Sequence, residues 1–181
     1  MSEQFLMVMA DLDEQTQARM AEWDAPLLEA GFTGQQTPGL PYHISLASYP
    51  LSKEKEALEH VRRIASEFTP FTLHFSHIGV FAGGKVIFAA PERNAAIDEL
   101  QKACDLFPNP NYPWTPHMTL ILYEPEVISQ ALPIAVRNFK PFVGTVTKLH
   151  LCAFWPTREI ASPELSLRDG RSLGDGVSGS K

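Results

Sequence analysis

Pro41-Tyr42-His43-Ile44-Ser45-Leu46 and Thr115-Pro116-His117-Met118-Thr119-Leu120 share one pattern of histidine, apolar residue, hydroxyl and apolar residue, with the histidines 74 positions apart. Side chains alternate across a β-strand, so in each copy the histidine and the hydroxyl two residues on share a face while the apolar residues anchor the other. The first alternation extends over Tyr42 to Tyr49, with His43, Ser45, Ala47 and Tyr49 on one side. The second extends over Pro116 to Tyr123, grouping His117, Thr119, Ile121 and Tyr123. Two half-buried strands of matching chemistry are therefore expected.

Working outward, Phe5 to Ala10 reads as a buried first strand. Asp13 is placed to cap a helix carrying Met20, Trp23, Leu27 and Leu28 on one face, which Gly31 can end. After the first motif, Ser52 is placed to cap a helix bearing Leu58, Val61, Ile64, Ala65 and Phe68, stopped before Pro70. Phe71 to Phe81 and Lys85 to Ala89 read as a hairpin, because Gly83 and Gly84 can take the positive φ of a tight turn. Ile97, Leu100, Ala103, Cys104 and Phe107 mark a third helix, broken by the proline-rich loop from Pro108 to Pro113. Glu126 to Phe139 has helical spacing but contains Pro133, which predicts a kink or a split. Phe142 to Phe154 is a long β-rich run ending at Pro156, with Glu164 to Leu167 a short edge strand and residues 169–181 expected to be a disordered tail. Two weakly similar halves result, each with a strand, a helix and a strand bearing His-x-Ser/Thr, which favours a duplicated α+β arrangement over a doubly wound sheet.

With 181 residues and 44% hydrophobic content, the chain has enough apolar material for one compact domain, expected over residues 1–168. The net charge of −6 argues against a surface built to capture a long nucleic-acid duplex, while small or terminal nucleic-acid substrates stay open. The first residues carry no cationic segment and the run Phe5 to Ala10 is too short to span a bilayer, so a cytoplasmic, membrane-free monomer is expected. Cys104 and Cys152 lack metal-site spacing and read as reduced core thiols. Neither GxxxxGK[ST] nor GxGxxG occurs, which removes the usual sequence support for an NTPase or a dinucleotide enzyme.

Should the two motif strands lie side by side, two imidazoles and two hydroxyls would converge on one groove. An unperturbed imidazole titrates near ~6.5, so one ring can act as base while the other acts as acid at neutral pH. Ser45 and Thr119 would then donate hydrogen bonds to the nonbridging oxygens of a phosphodiester, where charge builds in the transition state. No metal or cofactor is called for by this scheme.

The paired His43-Ile44-Ser45 and His117-Met118-Thr119 motifs resemble those of the two-histidine (2H) phosphoesterase superfamily, which includes 2′-5′ RNA ligase-like proteins and cyclic nucleotide phosphodiesterases. The likeness spans about residues 5 to 155 and takes in the order of elements, the hairpin at Gly83-Gly84 and the strand around Leu149 to Leu151. It implies a bilobal α+β fold, with two mainly antiparallel sheets lining a central groove and helices packed outside. It also implies catalysis by His43 and His117, phosphate binding by Ser45 and Thr119, and metal-independent chemistry on a 2′,3′-cyclic phosphate, an ADP-ribose cyclic phosphate or a 2′-5′ linkage. Ser45 stands where threonine is commoner and keeps the donor.

Weaker candidates surround this core. Tyr49 and Tyr123 share faces with their motif histidines and could stack a base, although core-edge packing is the commoner fate of such residues. Lys148 and His150 share one face of the long strand and could border the groove or simply meet solvent. His74-Phe75-Ser76 repeats the local pattern, yet His77 interrupts it and no proline precedes it, so it is set aside. The competing functions are ligation through the same site, a noncatalytic RNA-end or nucleotide-binding module, and a metallohydrolase, the last disfavoured because no carboxylate or third histidine accompanies either motif at ligand spacing.

Overall fold

The structure, a computed structural model, describes residues 4–34, 39–108 and 113–166. The run from Phe5 continues two residues beyond Ala10 to form β1 (Phe5–Leu12), and Asp13 caps α1 (Glu14–Glu29) by accepting from the Thr16 amide at 2.8 Å. Gly31 follows at φ +88°, a conformation open to glycine without strain, and ends the helix as expected. β2 (His43–Pro50) leads through a 3₁₀ turn at Leu51–Lys53 into α2 (Glu54–Ala65). Ser52 lies inside that turn and does not cap α2, whose first residue is preceded by Lys53. β3 (Phe71–Val80) and β4 (Val86–Pro91) form the expected hairpin, with Gly83 and Gly84 both at positive φ. α3 (Ala95–Cys104), β5 (Met118–Leu122), α4 (Pro125–Asn138), β6 (Phe142–Phe154) and β7 (Arg158–Ala161) complete the order.

All pairings among the strands are antiparallel, in the order β1-β2-β5-β4-β3-β6-β7, with β1 also paired to β6. The network has two halves, β2-β1-β6-β7 and β5-β4-β3. They are joined by β6, which pairs with β3 through Phe142–Val146 and with β1 through Val146–Phe154, and by a single register pair between the motif strands, Ile44↔Met118. The expected α+β class and antiparallel pairing are present, but the two expected sheets are one seven-stranded sheet, because β6 and the Ile44–Met118 pair connect the halves. Two helix pairs, α1 with α4 and α2 with α3, cover them. The core they enclose includes Leu6, Val8 and Ala10 of β1, Ile44 and Leu46 of β2, Met118 and Leu120 of β5, and Leu149 and Leu151 of β6, all at most 2% exposed. Cys104 and Cys152 are buried free thiols.

Three expectations are corrected by packing. Leu28 is 49% exposed, since the buried face of α1 carries Thr16, Met20, Trp23 and Leu27 and the next residue has turned past it. α4 does not split at Pro133: Ile128 and Ala131 before the proline and Ala135 after it are all buried, so packing on both sides holds one helix together despite the lost hydrogen bond. Trp23 reinforces this by donating Nε1–H to the Ala135 carbonyl at 2.9 Å. The edge strand is β7 rather than the Glu164–Leu167 segment, because the chain reverses at Trp155-Pro156-Thr157 and pairs back on β6 at once; Glu164 forms an isolated bridge with Lys148. Leu167 and the 169–181 tail lie outside the described residues, as does the centre of the Pro108–Pro113 loop. No helix among the described residues is long and apolar enough to cross a membrane.

Candidate active site

Ile44 and Met118 pair across the junction of the two halves and are both fully buried, which turns their neighbours the other way. His43, Ser45 and Thr119 consequently line one cleft of about 330 Å³, with Phe5, Met7, Met9, Leu40, Leu122, Phe154 and Trp155 forming its apolar walls. His117, the residue before β5, stands beside this cleft with Phe81 and Phe88 packed edge-on to its ring at 4.7 and 5.4 Å between centroids.

The two histidines are anchored identically. His43 Nδ1 lies 2.8 Å from the Pro41 carbonyl oxygen, and His117 Nδ1 lies 2.8 Å from the Thr115 carbonyl oxygen. A carbonyl only accepts, so in each ring Nδ1 carries the proton and Nε2 is left to exchange one. The segments that present these carbonyls are themselves held. Tyr42 donates its amide to Gln17 Oε1 at 2.9 Å and its carbonyl accepts from Gln17 Nε2 at 2.7 Å, while Trp114 donates Nε1–H to the Ser45 carbonyl at 2.9 Å, tying the loop before His117 to β2.

Burial pushes the pKa of His43 below its usual value. The Pro41 carbonyl and the Asp11 carboxylate work against that shift, whereas charge on His150 or His117 adds to it. His117 is likewise lowered by burial, against the pull of the Thr115 carbonyl. Burial thus disfavours the charged form of both rings, and charge on His117 opposes charge on His43.

A sequence model of the 2'-5' RNA ligase superfamily matches residues 12–154. The chain belongs to the 2'-5' RNA ligase superfamily. Among solved structures it is similar to E. coli LigT in apo form, with a TM-score of 0.62 at 20% identity over 91% of this chain and 98% of that one. It is also similar to TT0787 of Thermus thermophilus, with a TM-score of 0.64 at 18% identity over 89% of this chain and 97% of that one. At these identities the likeness establishes the fold. No curated protein matches the chain in sequence.

Not every candidate reaches the cleft of this superfamily member. In β2 the register with β1 passes from Ser45 to Ala47, leaving Leu46 as the extra residue of a bulge. In β5 the register with β4 passes from Thr119 to Ile121, leaving Leu120 in the same place. A bulge inverts the alternation beyond it. Tyr49 therefore turns into the core, 2% exposed, with its hydroxyl donating to the Cys104 carbonyl, and Tyr123 packs against the core while Leu122 takes the cleft side. Tyr49 is thereby withdrawn from the cleft, and Tyr123, half-buried, is not among the residues that line it. His74 and His77 are exposed on β3, and Ser76 Oγ bonds His77 Nδ1 at 3.0 Å, away from the motif strands.

His150 does share the cleft-side face of β6, but it is only 5% exposed and already engaged. Its Nδ1 lies 3.1 Å from Asp11 Oδ2 in an ion pair off line for a hydrogen bond, and its Nε2 lies 3.2 Å from both Glu159 Oε2 and Cys152 Sγ. The Asp11 carboxylate, aided by Cys152, pushes its pKa up to about 10. Lys148 is half-buried and stands beside Asp11 in the β1–β6 register. Asp11, Phe81 and Phe88 carried no sequence signal for the site, since Asp11 and Phe88 arrive from strands, and Phe81 from the end of one, distant in the chain.

Proposed function

We propose that this protein opens a cyclic phosphodiester, a 2′,3′-cyclic phosphate at an RNA end or on a related small nucleotide, by acid–base catalysis between His43 and His117. The observation that carries the reading is the matched anchoring of the two rings: Nδ1–H to a carbonyl two residues upstream in both, each with a hydroxyl two residues on, across one strand junction. One neutral Nε2 takes a proton from water as the water oxygen attacks phosphorus. The other ring, protonated at Nε2, gives its proton to the ribose oxygen as the P–O bond breaks. Ser45 and Thr119 donate to the nonbridging oxygens, and no step is assigned to a metal.

The apolar cleft suits a single nucleoside rather than an extended polyanion, in keeping with the net charge of −6. E. coli LigT has been solved in complex with 3'-AMP and with ATP, which is compatible with a nucleotide-sized ligand here. The test is incubation of the purified protein with 2′,3′-cyclic nucleotides, cyclic-phosphate-ended oligoribonucleotides and ADP-ribose cyclic phosphate, alongside paired half-molecule RNAs. Ring opening to a monoester supports the proposal. Joined RNA halves without ring hydrolysis would replace it with ligation, and binding with no turnover across the panel would replace it with a noncatalytic module.

A further inference from the structure

The two halves of the site are matched in their motifs and unmatched in what stands next to them. β1 places Asp11 directly opposite His43 in the β1–β2 register. At the corresponding position in the other half, β4 places Ala89 and Phe88 opposite Met118 and Thr119, and His117 meets the rings of Phe81 and Phe88. Only one of the two motif histidines has a cross-strand carboxylate among the described residues.

Asp11 follows Phe5, Met7 and Met9 on the cleft-side face of β1, the face opposite Leu6, Val8 and Ala10 of the core. It is 2% exposed. Its Oδ2 is clamped by His150, whose second nitrogen is in turn held by Glu159 and Cys152, so the carboxylate is fixed in place from behind. Its Oδ1 is buried and has no hydrogen-bond partner among the described residues. A buried carboxylate oxygen without a donor is costly, and its natural complement is a positive charge or a proton donor.

We propose that Asp11, clamped by His150, is a positioning residue that makes His43 the ring holding the exchangeable proton, and so the general acid, leaving His117 as the base. For its catalytic meaning this rests on the two-histidine reading of the site. The other charged or titratable groups around His43 do not supply the same bias. His150 and Lys148 on β6 and His117 before β5 are cationic when charged, and Glu159 on β7 lies beyond His150. Tyr42, next in sequence, donates its hydroxyl to Asp24. Among these groups, Asp11 is the anion nearest His43 in the strand register, and its attraction favours the imidazolium that a departing ribose oxygen needs.

The test is an NMR titration of the histidine ring Cε1–H signals without substrate, on wild type, Asp11→Asn, His150→Gln and the double variant, so that it reads the rings whatever the protein turns over. Asp11→Asn is expected to move the His43 midpoint to lower pH by about one unit, the scale of losing one adjacent opposite charge, and to leave His117 nearly in place. His150→Gln removes a positive charge behind the carboxylate and is expected to move His43 the other way. The opposite signs separate an electrostatic role from damage to the fold, which would shift both variants alike, and His150→Gln with the double variant carry the test should Asp11→Asn not fold. In turnover, Asp11→Asn is expected to move the alkaline limb of the kcat/KM profile to lower pH with the acid limb fixed. An unmoved His43 midpoint, or equal movement of His43 and His117, overturns the proposal.

Discussion

Gly79→Ala is a one-carbon change that reaches the site through a neighbouring strand. Gly79 pairs with Phe88 across β3 and β4, and a β-carbon built on Gly79 falls 2.3 Å from Phe88 Cζ and 2.5 Å from Cε2. Ordinary contact begins at 3.4 Å, so the ring must withdraw by roughly 1 Å. Its space is taken, because Phe88 also packs on Phe81 at 4.5 Å and on His117 at 5.4 Å between centroids. Overpacking of this kind typically costs about 1–3 kcal/mol of stability. Where a ring acts as the proposed function has it, a displacement near 1 Å can cost on the order of 10²-fold in rate. We therefore expect Gly79→Ala to lower both the urea midpoint and kcat/KM on a 2′,3′-cyclic nucleotide, and to shift the His117 ring signals more than those of His43. Adding Phe88→Leu removes the collision and is expected to recover most of the stability. The reasoning is refuted if Gly79→Ala leaves stability and the His117 signals untouched, or if Phe88→Leu deepens its defect.

Stability should depend on His150 in the alkaline range. Its pKa is raised from 6.5 unfolded to about 10 folded, so the stabilisation is complete below pH 6.5 and fades as pH rises towards 10, and His150→Gln should flatten that slope in urea titrations between those values. Gly144→Ala should destabilise by about 1–3 kcal/mol, since its β-carbon would meet Thr16 Oγ1 at 2.6 Å and Cγ2 at 2.9 Å and disturb the Asp13 cap, with the His43 and His117 signals unmoved; unaltered thermal unfolding would contradict this. Trp23→Phe should cost about 0.5–1.5 kcal/mol by removing one of the two donors to the Ala135 carbonyl of α4, which keeps the Phe139 amide, read as a lower midpoint in urea.

The motif strands were legible because alternation up to the hydroxyl is local: His43, Ile44 and Ser45, like His117, Met118 and Thr119, fall where period two puts them. Alternation beyond the hydroxyl was misleading. Leu46 and Leu120 are bulge residues, and an apolar residue in a bulge looks the same in sequence as one in a regular strand, so Tyr49 and Tyr123 were assigned the cleft-side face that the extra residue takes from them. Pro133 misled for a different reason, since the lost backbone bond is local whereas the burial of Ile128, Ala131 and Ala135 that holds α4 together is tertiary. The neighbours that distinguish the two histidines could not be read at all. Asp11 is over thirty positions from His43, and Phe81 and Phe88 over twenty-five from His117, and only the folded sheet brings them together.

The central claim is that His43 and His117 work as a pair on one phosphodiester. It is tested most directly by measuring ring opening of a 2′,3′-cyclic phosphate in EDTA by wild type, His43→Ala and His117→Ala, with thermal unfolding recorded on each. The account predicts turnover by wild type and a loss of at least about 10²-fold in each variant, the lower end of what one general acid or base contributes, with folding retained. Near-wild-type turnover in either folded variant would contradict it.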